Sequence, residues 1–217
     1  MEQNISEREQ LETLRKWWDA NGKAIVLGLA VGLAALFGYR YWQSMLDAKA
    51  ESASLNYQHF LQLAAAGPGD EARSAGQAIV GAYPDSAYAR LTSLLLARLE
   101  VDDGKLPAAK AHLQWVIDNA KGSELADVAR GRLAQLLLAE GDVDAASAQV
   151  SKVQDAGATT SFAELRGDIL AAQGKHAEAA AMYERAIAEV GDLGGDASHL
   201  EMKRDALGIA TTTAAAK

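Results

Sequence analysis

The sequence of 217 residues contains no cysteine, only three prolines and only 6% aromatic residues. Without cysteine the protein forms no disulfide bond and offers no thiolate to a metal ion, which is compatible with an oxidising compartment. Few prolines, and apolar residues spaced by three and four rather than by two, favour helices. β-Branched alternation typical of strands is also missing. The sequence therefore predicts an all-α protein.

Patterns that carry catalysis or bind cofactors are missing as well. The four histidines, His59, His112, His176 and His199, stand in separate segments, and none forms an HExxH-type zinc pair. No nucleophile elbow, phosphate-binding loop or dinucleotide fingerprint occurs, and "GLAVG" at 28–32 follows no strand. The acidic pairs at 102–103 and 142–144 are typical of solvated turns rather than calcium loops. We expect no enzyme, no cofactor and no metal.

Basic residues are also scarce in most of the chain. After Arg40 there are 16 Lys or Arg against 24 Asp or Glu, a net charge of −8. This balance argues against nucleic acid or anionic lipid headgroups as partners. The excess of acidic residues otherwise promotes solubility.

One long apolar run stands out near the N-terminus. Residues 24–39 carry no charge, with Lys23 before them and Arg40 after them. A helix over 21–42 would span about 33 Å, enough for a hydrocarbon core of about 30 Å if both cations extend outward. Aromatic residues typical of membrane interfaces flank it on both sides: Trp17, Trp18, Tyr39, Tyr41 and Trp42. We predict a transmembrane helix at 23–42.

Two alternatives to a membrane anchor are a cleaved signal peptide and a buried core helix. A signal peptide has a short basic leader, whereas residues 1–23 contain five acidic and four basic side chains. The nearest small-x-small cleavage pattern, at 48–50, lies too far past the run. This segment is apolar on all sides and has basic and aromatic residues at both ends. A buried core helix does not require such ends. These flanks favour the anchor.

Basic residues near the span predict its orientation. Four of them precede it (Arg8, Arg15, Lys16 and Lys23), whereas only Arg40 and Lys49 follow within 20 residues. By the positive-inside rule, the amphipathic segment 1–22 lies in the cytoplasm and the chain after the span is exported. A membrane protein with one span is expected, with a helical linker at 43–52 and an exported domain at 53–217.

Glycines recur at regular intervals in that domain. They lie in "AGPGD" (66–70), "DDGKLP" (102–107), "AEGDVD" (139–144) and "AQGKHAE" (172–178). Gly67, Gly104, Gly141 and Gly174 are separated by 37, 37 and 33 residues, and alanine follows each after five residues. A period near 34 is typical of tetratricopeptide repeats, which are helical hairpins. We predict about four tetratricopeptide-like hairpins in a solenoid and a capping helix near 197–208, an unrelated helix bundle being the alternative.

Several segments of this chain also resemble one known family. They are "NGKAI" and "GYRYWQS" around the span, "SASLNYQ", "ELRGDILAAQGKHAEAAAMYERAI" and "MKRDAL", which together extend from about residue 15 to 208. In these segments the chain is similar to the YfgM family, ancillary subunits of the bacterial Sec translocon. The resemblance implies an inner-membrane protein with a periplasmic repeat domain. Its implied partners are the Sec translocon, a PpiD-like membrane-anchored chaperone and exported polypeptides.

Tetratricopeptide repeats bind proteins through a groove lined by the first helix of each hairpin. Alignment on the loop glycines nominates Tyr57, Leu61, Leu91, Leu94, Arg98, Val101, Val128, Gln135, Leu138, Glu164 and Asp168 for this groove. The nominated residues are largely apolar in the first three repeats. Such a groove suits hydrophobic segments or a partner helix better than a C-terminal carboxylate, which requires several cations. Alternatively, several of these leucines and valines belong to the core.

Two functions fit such a protein. One is an ancillary translocon subunit that contacts exported chains and assists export and periplasmic folding. The other is a membrane-tethered scaffold or regulatory adaptor that binds one dedicated folded partner.

In the span, Ala24, Gly28 and Gly32 repeat every four residues and share one helix face. They are candidates for packing against a partner's membrane helix, although glycine is also common in spans that pack against nothing.

Overall fold

The computed structural model describes residues 3–67, 69–153 and 160–208. Pro68, in the first turn expected from the sequence, lies outside these ranges. So do residues 1–2 of the expected cytoplasmic segment and residues 209–217 of the expected C-terminal domain. The described residues form helices and no strand, which confirms the all-α prediction. The helices are α1 (Gln3–Ala65), α2 (Asp70–Ala82), α3 (Ala87–Asp102), α4 (Leu106–Asn119), α5 (Glu124–Ala139), α6 (Val143–Val150), α7 (Thr160–Ala172), α8 (His176–Asp192) and α9 (Ser198–Asp205).

The four repeat glycines end the first helix of each hairpin. Gly67, Gly104, Gly141 and Gly174 all have positive φ, between 72° and 107°, a region in which a side chain is strained. In the last three repeats the amide after the glycine donates to a carbonyl five residues earlier: Lys105 to Glu100, Asp142 to Leu137 and Lys175 to Leu170, at 2.7–2.9 Å. This bond caps the helix and reverses the chain.

The alanine five residues after each glycine lies at the centre of its hairpin. Ala72, Ala109, Ala146 and Ala179 are all buried. A small side chain at this position lets the second helix approach the first closely. The tetratricopeptide-like architecture predicted from the glycine and alanine spacing is therefore confirmed.

Each core cluster combines one hairpin with the first helix of the next. Phe60 of α1 packs with Ile79 of α2 and Leu96 of α3. The following clusters join α3 and α4 to α5, α5 and α6 to α7, and α7 and α8 to α9. The capping helix expected near 197–208 is thus α9, which occupies the place of a fifth repeat's first helix.

The chain divides into two compact units inside α1, between Ser52 and Ala53. In the first unit the apolar side chains of the span are exposed. Within the described residues, α1 alone is long and apolar enough to cross a membrane. The second unit begins with the last turns of α1, which form the first helix of repeat one.

Candidate protein-binding face

The nominated groove residues lie 13, 10, 6 or 3 residues before a loop glycine, on the first helix of each hairpin. We call this set the first-helix face. Leu61, Val101 and Val128 are 40%, 37% and 37% exposed, although all three are apolar. Arg98 and Gln135 are exposed as well. In the first three repeats the face therefore presents separate apolar side chains with one cation and one amide.

Other members of the first-helix face are half-buried: Tyr57, Leu91, Leu138, Glu164 and Asp168. The Tyr57 ring lies 5.4 Å from the Tyr88 ring of α3, measured between centroids. Leu138 packs against the cluster formed by α5, α6 and α7. These side chains are partly exposed on the first-helix face, and their buried parts stabilise the junctions between repeats.

Leu94 corrects the sequence-based assignment. It is only 6% exposed and shares a core cluster with Leu113 of α4 and Leu133 of α5. The prediction that Leu94 lines a binding groove is therefore wrong. For this residue the alternative is correct, because Leu94 belongs to the core.

The burial of Leu94 follows from its position ten residues before the loop glycine. At the same position Tyr57 contacts Tyr88 of α3, and a Cβ on Gly131 would lie 3.1 Å from the Phe162 ring of α7. In the fourth repeat this position is Glu164, which meets α9. The side chain ten residues before each loop glycine thus faces the next helix in the array, which covers it.

At the C-terminal end of the face, charged side chains from three helices meet. The Lys203 ammonium of α9 donates to Glu164 Oε1 at 2.8 Å and to both Asp168 oxygens at 2.8 and 2.9 Å. The Tyr183 hydroxyl of α8 donates to Asp168 at 2.7 Å. His199 Nε2 lies 3.6 Å from Glu164 Oε2. Glu164 and Asp168 are therefore already occupied by the chain's own α9.

These contacts determine the ionisation of the cluster. Burial alone would raise the pKa of Glu164, but the hydrogen bond and charge of Lys203, with the charge of His199, hold this pKa below its ordinary value. Burial opposes the charge of Lys203, yet the two carboxylates raise its pKa. Burial and the bond to Asp168 raise the pKa of the Tyr183 hydroxyl well above its ordinary value. The Glu164 carboxylate and the Lys203 ammonium are therefore each stabilised in the charged form.

A second charged cluster fixes the junction between the first two repeats. Arg73 of α2 donates to Glu100 at 3.1 Å, to Asp103 at 2.6 Å and to Asp70 at 2.9 Å. Glu100 is buried. Glu100 and Asp103 lie 27 and 30 residues from Arg73, so helical periodicity gives no signal for the contact. We assign this cluster a structural role, because it ties α2 to the end of α3.

The described residues contain no cluster of three or more metal-ligand side chains. The closest approach to a catalytic pair is Ser93 Oγ, which lies 3.4 Å from His112 Nδ1 and donates to the His112 carbonyl at 3.2 Å. Ser93 is fully buried, so no substrate reaches it.

In the span, the candidate packing face consists of Ala24, Gly28 and Gly32. All three are exposed on α1, and a Cβ at either glycine would meet no atom within 4 Å. Another helix is therefore free to approach the backbone here. The role of this face stays a prediction.

Comparison with known proteins gives a consistent result. A family model described as a tetratricopeptide repeat-like domain matches residues 15–209. The ancillary SecYEG translocon subunit of Escherichia coli K12 is 32% identical over 187 residues, covering 86% of this chain and 90% of the relative. The proteins of the same name from Neisseria gonorrhoeae and Haemophilus influenzae are each 27% identical, covering 95% and 86% of this chain and 100% and 91% of their own. No solved structure matches.

The family model covers both the apolar run and the array of hairpins that follows it, and these relatives cover 86% or more of the chain. The chain belongs to the tetratricopeptide repeat-like family of ancillary SecYEG translocon subunits, the YfgM family.

Proposed function

We propose that this protein is an ancillary subunit of a bacterial Sec translocon, anchored in the inner membrane by α1. The basic residues before the span keep the N-terminus in the cytoplasm and the repeats in the periplasm. The relatives' shared name supports the association with the translocon. Such a position brings the repeat domain close to chains that emerge on the periplasmic side.

The repeat domain binds exported polypeptides, or a PpiD-like chaperone that receives them, through the first-helix face. The observation that carries this proposal is the exposure of Leu61, Val101 and Val128 on corresponding helices of three successive repeats. Apolar side chains on successive first helices can contact one extended hydrophobic segment together, and removing them from water in this way is favourable. The family relationship supports binding rather than catalysis.

Site-specific photo-crosslinking in intact cells tests this function. A photoreactive residue at position 61, 128 or 135 is expected to capture many exported chains, visible as a ladder. Gln114, exposed on the second helix α4, is the control and is expected to capture few. One discrete band at the test positions would indicate a single protein partner, and its identity would distinguish the PpiD-like chaperone from the dedicated partner of an adaptor. Crosslinking no stronger than at Gln114 would contradict the proposal.

Protease treatment of spheroplasts tests the orientation separately. Protease is expected to remove the chain after about residue 45, where the span ends, and to spare an N-terminal tag. Loss of the tag in intact spheroplasts would reverse the orientation and remove the periplasmic role with it.

A further inference from the structure

The contact between α9 and the fourth repeat centres on one apolar anchor and one cation, with His199 beside Glu164 and Leu207, just after α9, against the same apolar cluster. Leu200 is fully buried in a cluster with Ala163, Tyr183 and Ala186. One helical turn later, Lys203 lies between Glu164 and Asp168. Leucine followed after three residues by lysine is therefore the pattern that this surface accepts.

α9 depends on these contacts for its stability. It has eight residues, and helices this short are unstable unless they pack against a partner. Its ion pairs are partly exposed, and such pairs contribute little to stability. Gly194, with φ of +69°, and Gly195 precede it, and Leu193 beside them is 83% exposed. Few contacts and a glycine-rich connection are typical of segments that open locally while the rest stays folded.

Opening of α9 would uncover a surface built to receive a helix. In the three preceding junctions the corresponding surface is covered by the first helix of the next repeat. After the fourth repeat, in the part of the chain that the structure describes, α9 takes that place. The uncovered surface would combine an apolar patch, formed by Ala163, Tyr183 and Ala186, with two neighbouring carboxylates.

We propose that α9 is an exchangeable occupant of this surface and that an amphipathic helix of another protein displaces it. The partner helix carries leucine and, three residues later, lysine or arginine to pair with Glu164 and Asp168. It is longer than α9, because a tethered segment has a high effective concentration and is displaced only by additional contacts. A second copy of this chain offers the same α9 and no such advantage. This binding site lies outside the exposed apolar residues of the first three repeats and does not depend on their function.

A fluorescent peptide with the sequence of residues 197–208 tests the exchange. Its binding to the full chain in detergent micelles is followed by fluorescence anisotropy. In the unaltered chain the attached α9 competes at high effective concentration, so binding is expected to be weak. Lys203→Glu, which places an anion against two carboxylates, and Leu200→Asp, which removes the anchor, both open the site. Each is expected to lower the dissociation constant of the peptide at least about tenfold.

Three controls make the result specific. Lys121→Glu makes the same charge change at an exposed lysine and is expected to leave peptide binding unchanged. Glu164→Gln combined with Asp168→Asn, added to an opened variant, is expected to reduce the gain. A peptide with glutamate in place of its lysine is expected not to bind. Circular dichroism verifies that the opened variants keep their helical repeats.

Three results would overturn the proposal. The opened variants, still folded, would bind the peptide no more tightly than the unaltered chain. The charge-reversed peptide would bind as well as the original. Stable dimers of the unaltered chain that Lys203→Glu dissolves would assign the surface to a second copy. The peptide assay contains no exported chain. Its failure would therefore leave the crosslinking result at position 61 unaffected.

Discussion

Gly167 of α7 lies directly against the ring of Tyr183 in α8. A Cβ at position 167 would stand 2.5 Å from Tyr183 Cε1, closer than real Cβ contacts come. The first repeat has a ring and a glycine at the equivalent positions, but on opposite helices. There the ring is Phe60 on the first helix and the glycine is Gly76 on the second. A Cβ at Gly76 would lie 2.9 Å from Phe60 Cε2. Both hairpins fill the same space, each with one ring and one glycine.

Gly167→Ala is expected to lower the free energy of unfolding by about 1–3 kcal/mol, because the buried Tyr183 ring has to move. Urea unfolding of the chain in detergent micelles, followed by circular dichroism, measures the change.

Gly191→Ala is the matched control in the same hairpin. It lies in α8, and a Cβ there would meet nothing within 4 Å. Because alanine favours helix more than glycine does, this change is expected to be neutral or to stabilise by up to about 1 kcal/mol. Equal destabilisation by both substitutions would show that the fit between Gly167 and Tyr183 is not the cause.

A second prediction separates core positions from surface positions in the central repeats. Ala146→Leu is expected to destabilise by about 1–3 kcal/mol through overpacking, and Leu94→Ala by about 2–5 kcal/mol through the cavity it leaves. Gln135→Ser, at an exposed position, is expected to change stability by less than about 0.5 kcal/mol. The same urea titration ranks all three. A neutral Ala146→Leu would contradict the hairpin packing described above.

The hairpin architecture could be predicted because it rests on local signals. A loop glycine with positive φ and a buried alanine five residues later recur in every copy. Leu94 could not be assigned in this way, since a leucine on a helix face looks the same whether solvent or α5 covers it. The pairing of Lys203 with Glu164 joins residues 39 apart. It depends on where α9 docks, and no local pattern reports that.

The third prediction concerns pH. Burial lowers the pKa of His112 below its ordinary value near 6.5, although the charge of Glu100 opposes this. Below pH 6.5 the unfolded chain therefore binds a proton that the folded chain does not, so stability falls as pH decreases toward the folded pKa. The urea midpoint is expected to drop between about pH 7.5 and about pH 5.5, and His112→Gln is expected to make this drop smaller.

His59→Gln is the control for this pH effect, because His59 is exposed. It is expected to leave the dependence of the midpoint on pH unchanged. If His59→Gln and His112→Gln reduce the drop equally, burial of His112 is not its source.

The fourth prediction tests the packing face of the span. Gly28→Leu with Gly32→Leu is expected to release the protein from its membrane complex, because leucine keeps a partner helix from approaching the backbone. The open space around both glycines lets α1 itself accept the change. Co-purification in mild detergent measures the release. Ala30→Leu with Ala34→Leu makes similar changes on the opposite side of the helix and is expected to have no effect. Equal retention of both variants would exclude this face.

The reversed ring and glycine of the first and fourth repeats also distinguish correct from incorrect assembly. If the first helix of repeat one paired with α8, Phe60 and Tyr183 would meet as two rings in a space that holds one. If α7 paired with α2, Gly167 and Gly76 would face each other across a void. Similar hairpins in one chain otherwise risk exchanging partners while they fold. Each of these two hairpins thus carries its own steric signature and rejects the other's helices.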